Sequence, residues 1–252
     1  MAADSRSSEF GGAAGWTQGG AMGEWATIRT SDGPFRAYVA QPTAGAAPAI
    51  VVIQEIFGVN AVMRGLADEF AAEGYLAVCP DLFWRIEPGV DITDGSKAEW
   101  DRAFALMNAF DPELGVKDIA SVIAQARAFS GCSGKVGAVG YCLGGLLAFL
   151  TATRTDVDAS VGYYGVGIEK RLGEADLLSV PLLLHIAEAD EFVPKEAQAL
   201  ILAALRNHPQ VELYTYPGRS HAFARPGGAH FDPADAALAR QRTLELFKKA
   251  LT

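Results

Sequence analysis

The seven residues Val139-Gly140-Tyr141-Cys142-Leu143-Gly144-Gly145 constrain this chain more than any other stretch. A short apolar run, Lys135 to Val139, leads into them, and Leu146 to Thr151 carries on as an apolar helix. The order is strand, sharp turn, helix, with a thiol at the turn. G-x-C-x-G is the cysteine form of the nucleophile elbow G-x-S-x-G. Its glycines answer a steric need. The turn strains the backbone of the central residue, and a Cβ at either flank would crowd the strand or the helix. The elbow also sets the thiol at a helix N-terminus, where free N–H groups and the helix dipole favour an anion and ease ionisation. Glycine-rich strand-to-helix turns are nevertheless common, and free cysteines are often simply buried. The motif alone leaves a core cysteine as open as a nucleophile.

Strands alternate with helices around this turn. Trp25–Arg29 and Phe35–Ala40 read as a hairpin joined at Ser31-Asp32-Gly33-Pro34. Ala49–Ile53 and Tyr75–Cys79 are apolar runs of the kind buried on both faces of a sheet. Val136–Val139, Ala159–Tyr163, Pro181–Ile186 and Val211–Tyr216 complete the strands. Helical patterns cover Ala61–Ala72, Lys97–Ala109, Pro112–Phe129, the run after the elbow to Thr153, Lys195–Asn207 and Pro233–Leu251. Such alternation implies βαβ units, a mostly parallel central sheet with helices on both faces, and an antiparallel N-terminal hairpin. Residues 1–21, rich in Gly, Ala and Ser, read as a disordered leader or tag, and residues 22–252 as a single α/β domain.

The net charge of −9 argues against nucleic acid, which calls for clustered Lys and Arg. No apolar run is long enough to span a membrane. Three cysteines, Cys79, Cys132 and Cys142, make no disulfide framework. The expectation is a reduced, cytoplasmic monomer.

Two further segments carry matching chemistry. One strand ends at Asp190, and another leads into a loop with His221. Nucleophile, acid, histidine is the chain order of the α/β-hydrolase triad, and all three fall just past strand C-termini, where open α/β sheets form their crevice. A histidine near neutrality can take the nucleophile's proton, and a carboxylate behind it fixes the tautomer. Taken singly, Asp190 reads as a cap for the helix beginning at Lys195, and His221 as a solvated loop residue. His185 sits inside an apolar strand and reads as core, His208 and His230 as surface, Cys79 as core and Cys132 as part of a turn. The three in order are less easily a coincidence.

Longer motifs sharpen this. Gln54 to Asn60, Val78-Cys79-Pro80-Asp81-Leu82, Gly137 to Gly145, Gly162 to Gly167 and His221-Ala222-Phe223-Ala224-Arg225 together resemble the dienelactone hydrolase (carboxymethylenebutenolidase) family, from Met22 to the C-terminus. The resemblance implies an α/β-hydrolase fold, no metal or cofactor, and hydrolysis of 4-carboxymethylenebut-2-en-4-olide to maleylacetate in chloroaromatic breakdown. Position by position it implies Cys142 as nucleophile, Asp190 and His221 as its partners, and Glu55 as a carboxylate that helps the thiol ionise when substrate arrives. It places an oxyanion hole at the backbone N–H groups of Leu143 and Ile56. Arg225 matches one of two family arginines that bind the substrate carboxylate, a role suited to a fork of donors. The second falls at Trp100, leaving Arg85 and Arg102 as the nearest substitutes. Phe57, Trp84 and Tyr164 are expected around a planar lactone. Position 222 is alanine where the family has serine.

The substrate expected is thus a small lactone or ester bearing a carboxylate. The alternatives are a broader esterase or thioesterase on the same fold, and a non-catalytic binder or thiol sensor. The last would leave Asp190 and His221 without a purpose.

Overall fold

The computed structural model describes residues 23–43 and 45–252; the leader expected over residues 1–21 lies outside them. Strands β1 (Glu24–Thr30) and β2 (Gly33–Ala40) form the antiparallel hairpin, with Ile28 opposite Phe35. Then follow β3 (Ala47–Ile53), α1 (Ala61–Ala72), β4 (Leu76–Pro80), α2 (Lys97–Ala109) and α3 (Pro112–Ala128). The elbow joins β5 (Cys132–Tyr141) to α4 (Leu143–Arg154). Beyond it come β6 (Ala159–Tyr163), two 3-10 turns (Ile168–Lys170 and Leu172–Leu177), β7 (Leu182–Ala187), α5 (Lys195–Leu205), β8 (Val211–Tyr216) and α6 (Pro233–Ala250).

The eight strands make one sheet in the order β1-β2-β4-β3-β5-β6-β7-β8. From β4 to β8 every neighbouring pair is parallel, and β2 meets β4 antiparallel. This is the mixed α/β sheet expected. The central strands β4, β6 and β7 are buried at every position, which is why their sequences are mainly apolar runs, broken only by the hydrogen-bonded Ser160 and His185, rather than alternations.

Alternation along β5 assigns the helices to faces, since successive Cβ atoms point to opposite sides of a strand. A Cβ on Gly137 would press on Phe247 and Leu251 at the α6 end, whereas one on Gly140 would overlap the carbonyl of Gly144 in α4. Helices α1 and α6 share an aromatic contact, Phe70 to Phe247 at 6.2 Å between centroids. Helix α4 is buried at ten positions, all but its last two residues, so it reads as uniformly apolar.

Helix starts follow the side chains that cap them. Asn60 accepts from Met63 N at 3.1 Å, Ser96 from Glu99 N at 3.3 Å, and Asp111 and Asp232 each precede a proline at the first helical position. One boundary differs from expectation. Cys132, read as part of a turn, opens β5 opposite Ala47, and the register then slips so that Ala49 faces Val136. Gly134, at φ +94°, lets the extra residues bulge out, which no apolar alternation could announce.

Candidate active site

Every chemically interesting loop leaves the sheet at the same edge, the C-terminal ends of the parallel strands. Glu55-Ile56-Phe57 follows β3, Cys142 follows β5, Tyr164 follows β6, Asp190 follows β7 and His221 follows β8.

Cys142 is the N-cap of α4 and has φ +57° and ψ −115°, a left-handed conformation strained for a residue with a Cβ. Its own N–H donates to Tyr163 O at 3.1 Å, and its carbonyl accepts from Gly145 N at 2.9 Å. The bend holds only because glycines surround it: a Cβ on Gly144 would overlap the carbonyl of Ile53, and one on Gly145 would come within 2.6 Å of Gly165 Cα. Leu143 is the first helical residue, whose N–H has no acceptor within the helix.

Asp190 divides its carboxylate between two tasks. Oδ1 accepts from Phe192 N at 2.8 Å and Val193 N at 3.2 Å, which fixes the turn after β7. Oδ2 stands 2.8 Å from His221 Nδ1. The cap of α5 is Pro194, so Asp190 is not the helix cap it resembled when read alone. His221 and Asp190 are both buried, and His221 Nε2 has no hydrogen-bond partner in the protein. Burial works against the His221 cation, but the neighbouring Cys142 and the bond to Asp190 outweigh that, pushing its pKa up to about 10. Phe192 and Tyr164 clamp the imidazole edge-on, at 4.9 and 5.0 Å between centroids.

Glu55 is buried, and Arg225 Nε lies 3.2 Å from its Oε2 without the alignment of a hydrogen bond. Burial pushes the Glu55 carboxyl above the ordinary carboxylate range, against the pull of Arg225 and His221. Arg225 also lies over the Phe57 ring at 4.5 Å and reaches Asp94 Oδ2 with Nη1 at 3.0 Å. Trp100 meets Phe57 edge-on at 5.0 Å. Tyr164, itself at φ +38°, is buried with an unpartnered phenol, and burial near Glu55 and Cys142 keeps that phenol protonated far above its usual range. A cavity of about 260 Å³ opens onto this group, lined among others by Asp94, Trp100, Phe104, Phe192, His221 and Arg225.

Cys142, His221, Asp190, Glu55, Ile56, Phe57, Trp100, Tyr164 and Arg225 therefore belong to one neighbourhood. Arg85 and Trp84 do not, which corrects their expected place at the substrate. Arg85 is bound to Asp118 at 3.0 and 3.1 Å and to Asp32 at 2.7 Å, and Trp84 Nε1 donates to Asp118 at 2.8 Å while its ring stacks on Phe35. Asp32 lies in the β1–β2 turn at the sheet edge, four strands from β5. Buried Asp118 demands donors, and these two side chains supply them. Arg102 pairs with Glu87 at the surface. His185 is core as read, bridging Tyr216 Oη at 2.8 Å and Thr243 Oγ1 at 3.1 Å. Sequence reading missed Asp94, Phe104, Glu191, Phe192 and His230, which also line the cavity. Glu191 and Phe192 directly follow Asp190, which was a usable signal; Asp94 had none. Among the described residues no group of three His, Cys, Asp or Glu side chains could hold a metal ion, and no helix is long and apolar enough to cross a membrane.

The family model of the dienelactone hydrolase family matches residues 35–251. A protein of Azospirillum brasilense, provisionally named a carboxymethylenebutenolidase, is 54% identical over 87% of this chain and 95% of its own length. The carboxymethylenebutenolidase of Pseudomonas putida is 42% identical over 88% of this chain and 94% of its own. Among solved structures, a protein of Klebsiella pneumoniae provisionally called a dienelactone hydrolase superposes with a TM-score of 0.79 at 26% identity, covering 90% of this chain and 98% of that one. The chain belongs to the dienelactone hydrolase family, and is a hydrolase on the α/β-hydrolase fold.

Proposed function

We propose that this chain hydrolyses dienelactone, or a close acidic lactone, through a cysteine nucleophile and a thioester intermediate. One observation carries the reading: at the C-terminal end of the sheet, strained Cys142 lies close enough to act on a buried His221 whose Nδ1 is held by Asp190 at 2.8 Å and whose Nε2 has no other protein partner.

The reaction runs in two halves. His221 takes the thiol proton, and the Cys142 thiolate attacks the lactone carbonyl carbon. The oxyanion forms against the backbone N–H groups of Leu143 and Ile56, the first after the nucleophile and the second from the loop after β3. Collapse breaks the ring C–O bond and expels an enolate, which takes the proton that His221 had accepted from the thiol and ends as the ketone, leaving His221 neutral. Water then gives its proton to His221 and attacks the thioester, and the thiolate leaves as the acid forms. The substrate carboxylate binds Arg225. That contact loosens the hold of Arg225 on Glu55, whose raised pKa suits it to accept a proton near the site. Phe57 and Trp100 supply apolar walls for a planar ring.

The test is steady-state hydrolysis of both dienelactone isomers and of p-nitrophenyl acetate by the parent and by Cys142→Ala. Parent turnover of the lactone that disappears in Cys142→Ala is expected; turnover surviving in that variant would overturn the assignment. A broader esterase on the same site is the second reading, favoured by Asp94 already engaging Arg225 and by Trp100 in the place of an arginine. Faster turnover of the neutral ester than of either lactone would decide for it. A cytoplasmic role in aromatic breakdown belongs to the first reading.

A further inference from the structure

Arg225 is surrounded before any substrate arrives. Only 5% of its side chain is exposed, and one cation faces two carboxylates: Glu55 at Nε, 3.2 Å away, and Asp94 at Nη1, 3.0 Å away. The two partners differ in position. Glu55 is 4% exposed and lies deep, whereas Asp94 is 29% exposed and lines the cavity. A carboxylate entering through the cavity meets Asp94 first. Glu191, on the same cavity wall, adds a second negative group to its rim.

Asp94 is held there by a chain of contacts. Trp100 Nε1 donates to the Asp94 carbonyl at 3.1 Å. Just before it, Thr93 binds Glu99 Oε1 through both its N–H and its hydroxyl, each at 2.9 Å. Just after it, Ser96 donates to Glu99 Oε2 at 2.9 Å. Upstream, Ile92 N donates to Phe57 O at 3.2 Å, Asn60 Nδ2 donates to Ile92 O at 2.9 Å, and Asp91 bridges to Gly58. Gly58, at φ +75°, has no room for a Cβ beside Val90 O. The connection between β4 and α2 is thus laced to the loop after β3 that also carries Glu55 and Ile56, and it delivers one carboxylate to the guanidinium.

We infer that Asp94 is a specificity-determining residue: it occupies, from within the chain, the position on Arg225 that an acidic substrate needs. An acidic lactone or ester then binds by exchange, displacing Asp94 from Nη1, whereas a neutral ester enters without that exchange. Asp94 sets the balance between the two substrate classes, and the inference rests on Arg225 being the carboxylate-binding group. No bond of the substrate is touched by Asp94; its effect lies in binding.

The test uses two esters with one leaving group, p-nitrophenyl hemisuccinate, which bears a carboxylate, and p-nitrophenyl butyrate, which does not. Parent, Asp94→Asn and Arg225→Ala are compared in kcat and KM, with acetate and succinate as competitive inhibitors of butyrate hydrolysis. In Asp94→Asn the ratio of kcat/KM for hemisuccinate to that for butyrate is expected to rise about tenfold, the change sitting in the hemisuccinate KM, with succinate binding tightened in proportion. A ratio within about twofold of the parent's, or one that shifts through kcat alone, would overturn the inference. Asparagine keeps the shape of the side chain, and the inhibition constants read binding apart from chemistry. If Arg225→Ala lowers the ratio while Asp94→Asn leaves it unmoved, the carboxylate site stands and the role of Asp94 falls. If Arg225→Ala leaves the ratio unmoved, both fall, while the assignment of Cys142 is untouched.

Discussion

Two regions of this molecule are built from the same kinds of residue and do different things. At the sheet edge Asp118, Arg85, Trp84 and Asp32 form a clasp; at the strand ends Glu55, Arg225, Trp100 and Asp94 form part of a cleft. Each joins carboxylates, an arginine and a tryptophan, and in each burial raises the pKa of the deeper carboxyl, Asp118 or Glu55. In the clasp the buried oxygens are fully used, since Asp118 accepts from Trp84 and twice from Arg85. In the cleft they are not. Of six buried side-chain polar atoms without a hydrogen-bond partner among the described residues, three are Glu55 Oε2, Tyr164 Oη and His221 Nε2. The backbone tells the same story: among the described residues the non-glycine positions with positive φ are Cys142, Tyr164 and Ala222, all in or beside the cleft. Satisfied polar groups on relaxed backbone stabilise a fold. Unsatisfied ones on strained backbone are tolerated where a reacting molecule completes them.

The largest test of this contrast is Cys142→Ala. It should lower kcat for ester or lactone hydrolysis by at least about 10³-fold and leave the melting temperature close to the parent's, since alanine keeps the Cβ at the bend and only one buried sulfur is lost. A large loss of stability would mean the cleft is structural in the way the clasp is. Gly144→Ala probes the scaffold of the elbow. Its new Cβ would overlap the Ile53 carbonyl, so chemical denaturation should show a loss of about 3 kcal/mol or more. Parent-like stability there would show that the elbow has slack.

Arg85→Ala is the converse of Cys142→Ala. It strips Asp118 of two hydrogen bonds in a site only 2% exposed and should destabilise the fold by about 2 kcal/mol, with kcat/KM within about twofold of the parent's. A change in KM for acidic substrates would put Arg85 back at the substrate and dissolve the contrast. Asp190→Asn removes one of the two influences that raise the His221 pKa. With the imidazole no longer held in place by a carboxylate, kcat for ester or lactone hydrolysis should fall by about 10²-fold or more, read by steady-state kinetics; a kcat within about twofold of the parent's would show that Asp190 serves the β7 turn alone.

The smallest effect concerns a buried polar group outside both regions. Burial holds the His185 pKa well below its ordinary value, with Arg242 adding to it. The sign follows from proton counting. The folded state keeps His185 neutral where the unfolded chain binds a proton, so its contribution is intact above about pH 6.5 and is lost as pH falls below that, by up to about 1.4 kcal/mol per pH unit. His185→Gln should flatten the fall of melting temperature between pH 6.5 and lower values. An unchanged slope would assign the acid sensitivity to carboxylates instead.

Local features made much of this legible. The apolar runs of β3, β4, β6 and β7 are visible because both faces are buried, and the capping residues Asn60, Ser96, Asp111 and Asp232 mark their helices by chemistry that acts within one turn. The elbow at Cys142 was legible because its geometry needs glycine at fixed offsets. Chain order pointed to Asp190 and His221, and motif resemblance to Glu55 and Arg225. Arg85 and Trp84 misled because a Trp-Arg pair before a helix has the same sequence whether it lines a cleft or clasps an aspartate.

Strand and helix order, the family, and the residue types able to carry the reaction were legible in the chain alone, since each depends on neighbours within a few positions or on long motifs. Which cations are free to meet a substrate was settled by contacts between distant parts of the chain. Arg85 is consumed by Asp118 from α3 and Asp32 from a turn 53 residues away, and Arg225 is shared between Glu55 and an aspartate 131 residues away. Coulomb attraction acts through space, and which charges stand within a few ångströms is fixed by how the loops fold back onto the sheet.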